Sequence, residues 1–343
     1  MHLRKWHLWL SLGLCMWLLC GCHDAVSPYA DTVFTGMDTA ITLRLPADTD
    51  KDLLRDATAS VEELVVALED SLSCHAAGSE LYALNQAPQL YLTKDEMLLS
   101  VLDTALSISD LTGGTYDPTL GQLTDLWNIS RGGPVPKENA ITEALSHHGT
   151  DKLAIDGSTV TKSDPLLQLD LGGIGKGYGL QATVAMLADK GIDYGLVSFG
   201  GNIGVFGEKP DGTPFQIGVK DPHDTSAIVG YLYIPNGFVS VSGDYERFFR
   251  QDGVIYHHIL DPDTGYPADT GLSSVVVYAQ NGAAADALST ALFVMGIEDG
   301  LLFYESGQIS FEALFITADE RIVATPGIGD KFKLTAPRYI LEK

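Results

Sequence analysis

The sequence predicts an α+β fold, and three observations predict it. Strand-like runs follow one another with helices set between them, without the strict alternation that a doubly wound parallel sheet requires. Several stretches carry apolar residues at helical spacing, led by Leu53, Leu54, Ala57, Val61, Leu64, Val65 and Leu68. The 343 residues are 45% hydrophobic and 19% charged, a globular composition with no low-complexity segment or long linker to part independent domains.

In order, Thr32 to Leu45 reads as a strand, followed by a polar turn at Asp48 to Asp50 and a helix over Asp52 to Leu72. A second helix is expected over Lys94 to Leu111, with Thr93 as N-cap, Glu96 completing a capping box, and Gly113-Gly114 stopping it. Leu166 to Leu171 reads as a strand, Gly177 to Lys190 as a helix ended by Gly191, and Tyr194 to Phe199 as a strand. Further strands are expected at Phe215 to Val219, Ala227 to Ile234, Val254 to Ile259 and Ser273 to Tyr278. A helix over Ala283 to Met295 and a strand over Phe311 to Thr317 close the pattern.

Forty-five acidic against 21 basic residues give a net charge of −24, which excludes nucleic acid as a partner and attachment to a membrane through a polybasic patch. The amino terminus reads as an address. Arg4 and Lys5 form a positive n-region, Trp6 to Leu19 an apolar core, and Leu19-Cys20-Gly21-Cys22 resembles a bacterial lipobox. Residues 1–21 are therefore expected to be a lipoprotein signal peptide and 22–30 a tether that acylated Cys22 holds to the bilayer. Cys74 then remains alone, so no disulfide framework within the chain and no Cys/His metal cage is expected.

Leu169-Asp170-Leu171-Gly172-Gly173-Ile174-Gly175-Lys176-Gly177-Tyr178-Gly179 is the densest signal. Its glycines let backbone N–H groups approach an anion, the next helix adds its dipole, and Lys176 offers a charge to phosphate. Tight strand–helix packing explains the same glycines. A P-loop fails, because Asp170 and Gly177 stand where Gly and Ser or Thr belong, and Gly177 to Ala182 fits G-x-G-x-x-A only inside the expected helix. Ser198-Phe199-Gly200-Gly201-Asn202 fits either a turn beside a flat ligand or a plain hairpin turn. Asp286 and Thr290 share one helix face and suit a hard cation such as Mg²⁺, or else a helix dipole and a back-bonded hydroxyl. His257 and His258 point to opposite faces of a strand, so at most one serves a given site as general base.

Read in order, Gly36 to Thr39, Ser79-Glu80-Leu81 with Asn85, Thr112 to Thr119, the Leu169 to Gly179 run, Gly200 to Asn202, Ser242 to Arg247, His258 to Pro262 and Ala285 to Thr290 closely resemble the ApbE-type FAD:protein FMN transferases. The resemblance runs from about Gly36 to Gly296 and implies two related T-fold-like halves with the flavin between them, in a catalytic domain spanning 31–343. It implies that FAD is split, that FMN passes to a Thr or Ser hydroxyl of an acceptor flavoprotein subunit, and that AMP leaves. Acceptors in the family are subunits of sodium-pumping NADH:quinone oxidoreductase, RNF complexes and similar redox proteins outside the cytoplasm. By the same resemblance Asp286, Thr290 and the Gly175 carbonyl match Mg²⁺ ligands. Met37, Thr115, Tyr116, Asp117, Gly172, Tyr178 and Leu260 match flavin contacts, and His258 matches the histidine proposed to activate the acceptor hydroxyl.

Three positions depart from the family pattern. His75 stands where Tyr or Trp is usual near the flavin, Asp38 where Gly is usual, and Gly175 where Ala is common. The alternatives are an FAD pyrophosphatase and a flavin- or solute-binding lipoprotein without catalysis, while the misplaced glycine pattern argues against a nicotinamide dehydrogenase.

Overall fold

The computed structural model describes residues 27–342, so the signal segment and Cys22 lie outside the described residues. Its spine is a nine-stranded sheet in the order Tyr29–Gly36, Thr39–Pro46, Tyr194–Phe199, Asn202–Gly207, Gly237–Gly243, Leu272–Ala279, Glu312–Thr317, Arg321–Ala324, Ile340–Glu342. All neighbours pair antiparallel except the last two strands. The helices are α1 (Lys51–Leu72), α2 (Glu80–Gln86), α3 (Glu96–Leu111), α4 (Gly121–Trp127), α5 (Glu138–Ser146), α6 (Gly175–Asp189), α7 (Gly282–Ser306) and α8 (Pro326–Gly329). An α+β class is thus what the chain adopts.

Period-two alternation sorts the central strands between two cores. Val275, Val277, Ala313 and Phe315 face α1, α3, α6 and α7. Val276, Leu314 and Ile316 face the other way, onto a three-stranded sheet of Phe215–Asp221, Asp224–Ile234 and Phe332–Leu334. Leu272–Ala279 is buried on both faces, and at its centre Val275, Val276 and Val277 are apolar in succession rather than alternating. A third, smaller cluster gathers Trp127, Leu123, Ile141 and Leu260 where α4 and α5 meet.

Several elements differ from their sequence reading. Thr32 to Leu45 is a hairpin with Met37 and Asp38 as its turn, both left-handed at φ 51° and 56°. Asp38 suits the left-handed region, but Met37 does not, and no glycine marks the turn. Asp95 rather than Thr93 caps α3, accepting from the Leu98 N–H at 2.8 Å; Thr93 Oγ1 instead accepts from the Asp95 N–H at 3.0 Å, and Glu96 then falls one residue into the helix with no capping box. Leu166 to Leu171 joins no strand and touches the ladders at one parallel bridge, Leu120 to Gln168. The first helical stretch of α7 does end near Met295, where Gly296 turns to φ 75°, but helix resumes to Ser306. Helices α2, α4 and α5 are too short for their periodicity to stand out in sequence.

Glycines decide how α6 meets α7. A Cβ on Gly177 would overlap the Gly282 carbonyl oxygen and lie 2.6 Å from Asp286 Cβ, so the two backbones touch. A Cβ on Gly175 would make ordinary contacts at 3.7 Å with Leu72 and Met37. Gly177→Ala is therefore expected to cost ~1–3 kcal/mol by overpacking. Gly175→Ala should be neutral to stabilising by up to ~1 kcal/mol. Urea unfolding of the pair checks both, and equal costs would refute the packing argument.

Candidate functional site

The crossing of α6 and α7 places a buried carboxylate. Asp286 is 4% exposed. Its Oδ2 accepts from the Gly177 N–H at 2.8 Å, and its Oδ1 accepts from the Asn202 side-chain amide at 2.8 Å. Asn202 reaches it because Gly200 and Gly201 form the two-residue turn of a hairpin, Gly200 at φ 70° against Thr39. The motif is a hairpin turn, and through Asn202 it orients Asp286.

One turn along α7, Thr290 Oγ1 lies 3.3 Å from Ser242 Oγ, which is itself 2.8 Å from Ser289 Oγ. The glycine loop runs beneath this hydroxyl. A Cβ on Gly173 would sit 3.6 Å from Thr290 Oγ1 and 3.2 Å from the Tyr116 ring. With Met37 and Leu72 against Gly175, the structure brings Met37, Tyr116, Gly175, Asp286 and Thr290 to one place. Tyr116 is buried, and its hydroxyl has no hydrogen-bond partner in the protein. Burial, then the charges of Asp286 and Asp170, raise its pKa well above the usual phenol value. A buried polar atom without a partner is what a missing ligand leaves behind.

Lys176 folds back so that its ammonium donates to the Gly172 carbonyl at 3.1 Å. Its charge is felt by two further groups. Glu246, whose Oε1 would lie 3.7 Å from a Cβ on Gly201, is raised by burial and partly restored by Lys176. His258 is pushed down to about 3 by burial, then by the Arg247 and Lys176 charges. Its backbone N–H donates to the Arg247 carbonyl at 3.1 Å, and its buried Nδ1 has no partner. His257 points the other way into the core. Its Nε2 is 3.0 Å from the Ala268 carbonyl, its Nδ1 accepts from the Ile259 N–H, and its ring stands edge-on to Phe293.

The remaining expected flavin contacts have these partners within the protein. The Asp117 carboxylate is occupied by Thr119 through its N–H and hydroxyl, and by His148 Nδ1 at 2.9 Å. Thr115 Oγ1 donates to the Thr112 carbonyl, Gly172 N–H donates to Asp170 at 2.8 Å, and Leu260 is buried beside Trp127. Tyr178 is half-buried on α6 against the main core. His75 does not join the Asp286 group. It lines a polar cavity of about 190 Å³ with Asp125, Arg131, Asn85 and Gln168, its Nδ1 3.6 Å from Asp125. Asp170 lies between the two places, since its charge raises both Tyr116 and Cys74, a residue of the cavity wall. Ser242, Asn202 and Glu246 were legible as motif members but not as site residues, because their partners are up to 84 positions away.

The donors fit a hard cation. Asp286 and Thr290 offer oxygen only, and among the described residues no group of three His, Cys, Asp or Glu forms a cage for a softer metal. One carboxylate and one hydroxyl leave coordination places for water and phosphate, as Mg²⁺ prefers.

Fold and site together define an α+β protein whose helix crossing gathers a carboxylate, a hydroxyl and a glycine loop. The pattern of the ApbE family matches residues 37–315. The FAD:protein FMN transferase of Treponema pallidum is 35% identical over 308 residues, covering 83% of this chain and 84% of that protein. That of Vibrio cholerae is 31% identical over 321 residues, 91% and 94% of the two chains. Among solved structures, the ApbE protein of Thermotoga maritima superposes with a TM-score of 0.81 at 31% identity, covering 88% of this chain and 99% of that one. The flavin transferase ApbE of Vibrio cholerae gives 0.79 at 28% identity, with the same coverage. This chain belongs to the ApbE family.

The histidines set an acid limit. Both His257 and His258 have folded-state values below the usual 6.5, so the unfolded chain binds protons first as pH falls. Their contribution is full above about pH 6.5 and is lost toward about 3. Asp244, raised to about 6 by burial, works in the opposite sense and favours the folded state on the acid side. His258→Gln is expected to shrink the loss of urea stability between about pH 6.5 and pH 4.5. An unchanged loss would mean that the imidazole is not held neutral in the fold.

Proposed function

We propose that this chain is an Mg²⁺-dependent FAD:protein FMN transferase that moves FMN to a Thr or Ser hydroxyl of an acceptor protein and releases AMP. Membership of the ApbE family and the names of its relatives support flavin transfer. One observation carries the chemistry: Asp286 and Thr290 converge on the glycine loop at the start of α6, beside a buried tyrosine hydroxyl that lacks a partner.

Each group has a task the reaction needs. The N-terminal turn of α6 and Lys176 offer positive potential to the pyrophosphate. Asp286, Thr290 and the Gly175 carbonyl would hold Mg²⁺, which when bound neutralises phosphate charge and orients the leaving group. Gly177 and Asn202 fix the Asp286 carboxylate for that purpose. His258 is neutral at pH 7 and keeps Nδ1 free to take the proton of the attacking hydroxyl. In the same step the hydroxyl oxygen bonds the FMN phosphorus and the bond to the AMP phosphate breaks, AMP leaving with the electron pair.

Incubation with FAD, Mg²⁺ and the flavin-carrying subunit of a sodium-pumping NADH:quinone oxidoreductase tests this, read by in-gel flavin fluorescence. Covalent flavin on the acceptor is expected, abolished by EDTA and restored by Mg²⁺. Asp286→Ala is expected to lower transfer by about 100-fold or more. His258→Ala should lower it by ~10²–10⁴-fold with FAD binding retained. Free FMN formed regardless of acceptor would make the protein a pyrophosphatase instead.

We further infer that the protein acts outside the cytoplasmic membrane, anchored through Cys22. The charged n-region, apolar core and Gly21-Cys22 junction support this. Radiolabelled palmitate is expected to enter the wild-type chain but not Cys22→Ser; label in both would refute the anchor.

A further inference from the structure

The segment leading into the glycine loop poses a physical problem. Leu167, Leu169 and Leu171 are buried to 2% exposure or less, yet the segment belongs to no strand. Buried irregular backbone must still find hydrogen-bond partners. Along one edge they are backbone groups: Gly121 N–H donates to Gln168 O at 3.0 Å, and Asp170 N–H donates to Pro118 O at 2.9 Å. Along the other edge they are two side chains. The Asn85 amide donates to Leu169 O at 2.9 Å and accepts from Leu169 N–H at 2.8 Å, copying a neighbouring strand. Lys162 Nζ donates to Leu167 O and to Asn85 O, each at 3.1 Å.

Lys162 is the odd member of this set. It is 1% exposed, and the hydrogen bonds of its ammonium go to carbonyl oxygens. Burial holds its pKa below the usual lysine value. Methionine would fill similar space without a buried charge. What it would not supply is donors for two carbonyls that α2 and the irregular segment leave over.

The two edges lead to the two loops of the candidate site. The clamped segment continues through Asp170 into Gly172, Gly173 and Gly175 beneath Thr290. Its backbone partner, 118–121, continues directly from Thr115-Tyr116-Asp117. We propose that Asn85 and Lys162 are positioning residues for FAD, setting the spacing between the Tyr116 loop and the glycine loop without touching the reacting atoms. This rests on the site being an FAD site, as argued above.

Lys162→Met and Asn85→Leu remove the polar partners at similar size. Lys162→Arg retains donors, and Asn85→Asp is the milder change should Asn85→Leu fail to fold. FAD affinity by titration calorimetry and steady-state kcat and KM would be measured where urea curves show each variant fully folded. Lys162→Met and Asn85→Leu are expected to weaken FAD binding and raise KM for FAD about tenfold, with a smaller fall in kcat, and Lys162→Arg to recover most of the loss. Destabilised variants that bind FAD as the wild type does would overturn the proposal.

Amide hydrogen exchange without FAD gives a second readout. Residues 115–121 and 168–175 should exchange selectively faster in Lys162→Met, and unchanged exchange there would equally overturn it. Failure of the wild type to bind FAD would instead refute the reading of the site, leaving the exchange result to judge the clamp.

Discussion

The candidate site depends on a contact between two backbones. Gly177 and Gly282 lack side chains where α6 crosses α7, so peptide groups meet across the junction. That approach lets the Gly177 N–H reach Asp286 from a neighbouring helix. An α-helix leaves its first N–H groups without intrahelical partners, and here one of them serves a buried carboxylate. Asn202 supplies the second donor from the hairpin turn below. Without the crossing, Asp286 would be a buried anion with one partner, which costs several kcal/mol. With it, the carboxylate keeps lone pairs free and a fixed direction, as ligation of a hard cation requires.

Around that junction the chain sets neutral and charged groups apart. His257 and His258 are neighbours in sequence with opposite fates, one locked by Ala268, Ile259 and Phe293, the other left with a free ring nitrogen beside Arg247. The strand Val254–His257 ends at the first of the two histidines, so the second leaves the strand as the chain turns. Burial and two nearby cations then keep the second histidine deprotonated. Asp117 has different partners, accepting from the Thr119 N–H and hydroxyl and lying 2.9 Å from His148 Nδ1. Residue type alone would rank the two acids alike, and only the partners separate Asp286 from Asp117.

Those partners explain how much of the molecule was legible in sequence. The long helix α1 showed itself through its spacing, and the central strands through apolar runs. Asp286 and Thr290 stood out as four apart on one helix, but that spacing fits a helix dipole and a back-bonded hydroxyl as well, and only the family resemblance favoured a metal. The Met37-Asp38 turn was not legible, since its left-handed residues lack the glycine or asparagine that marks such turns. Leu166 to Leu171 misled for a different reason. Its pattern is that of a buried strand, but side chains rather than a neighbouring strand take up one of its edges. Periodicity reports burial and cannot say who supplies the hydrogen bonds.

A chain of net charge −24 must still attract a dinucleotide bearing a pyrophosphate. Long-range attraction cannot do it, because the summed field of the protein repels an anion. The attraction has to be local, and the positive groups near the junction are few: Lys176, Arg247 and the start of α6. Lys176 donates to the Gly172 carbonyl in the glycine loop itself. A phosphate at the loop can draw that ammonium from a neutral acceptor to an anionic one, a stronger hydrogen bond over a short movement. The Lys176 charge also acts on His258 and Glu246, in each case after burial. An acidic protein can meet an anion only through such short-range groups, and here the glycine loop, the start of α6 and Lys176 lie together.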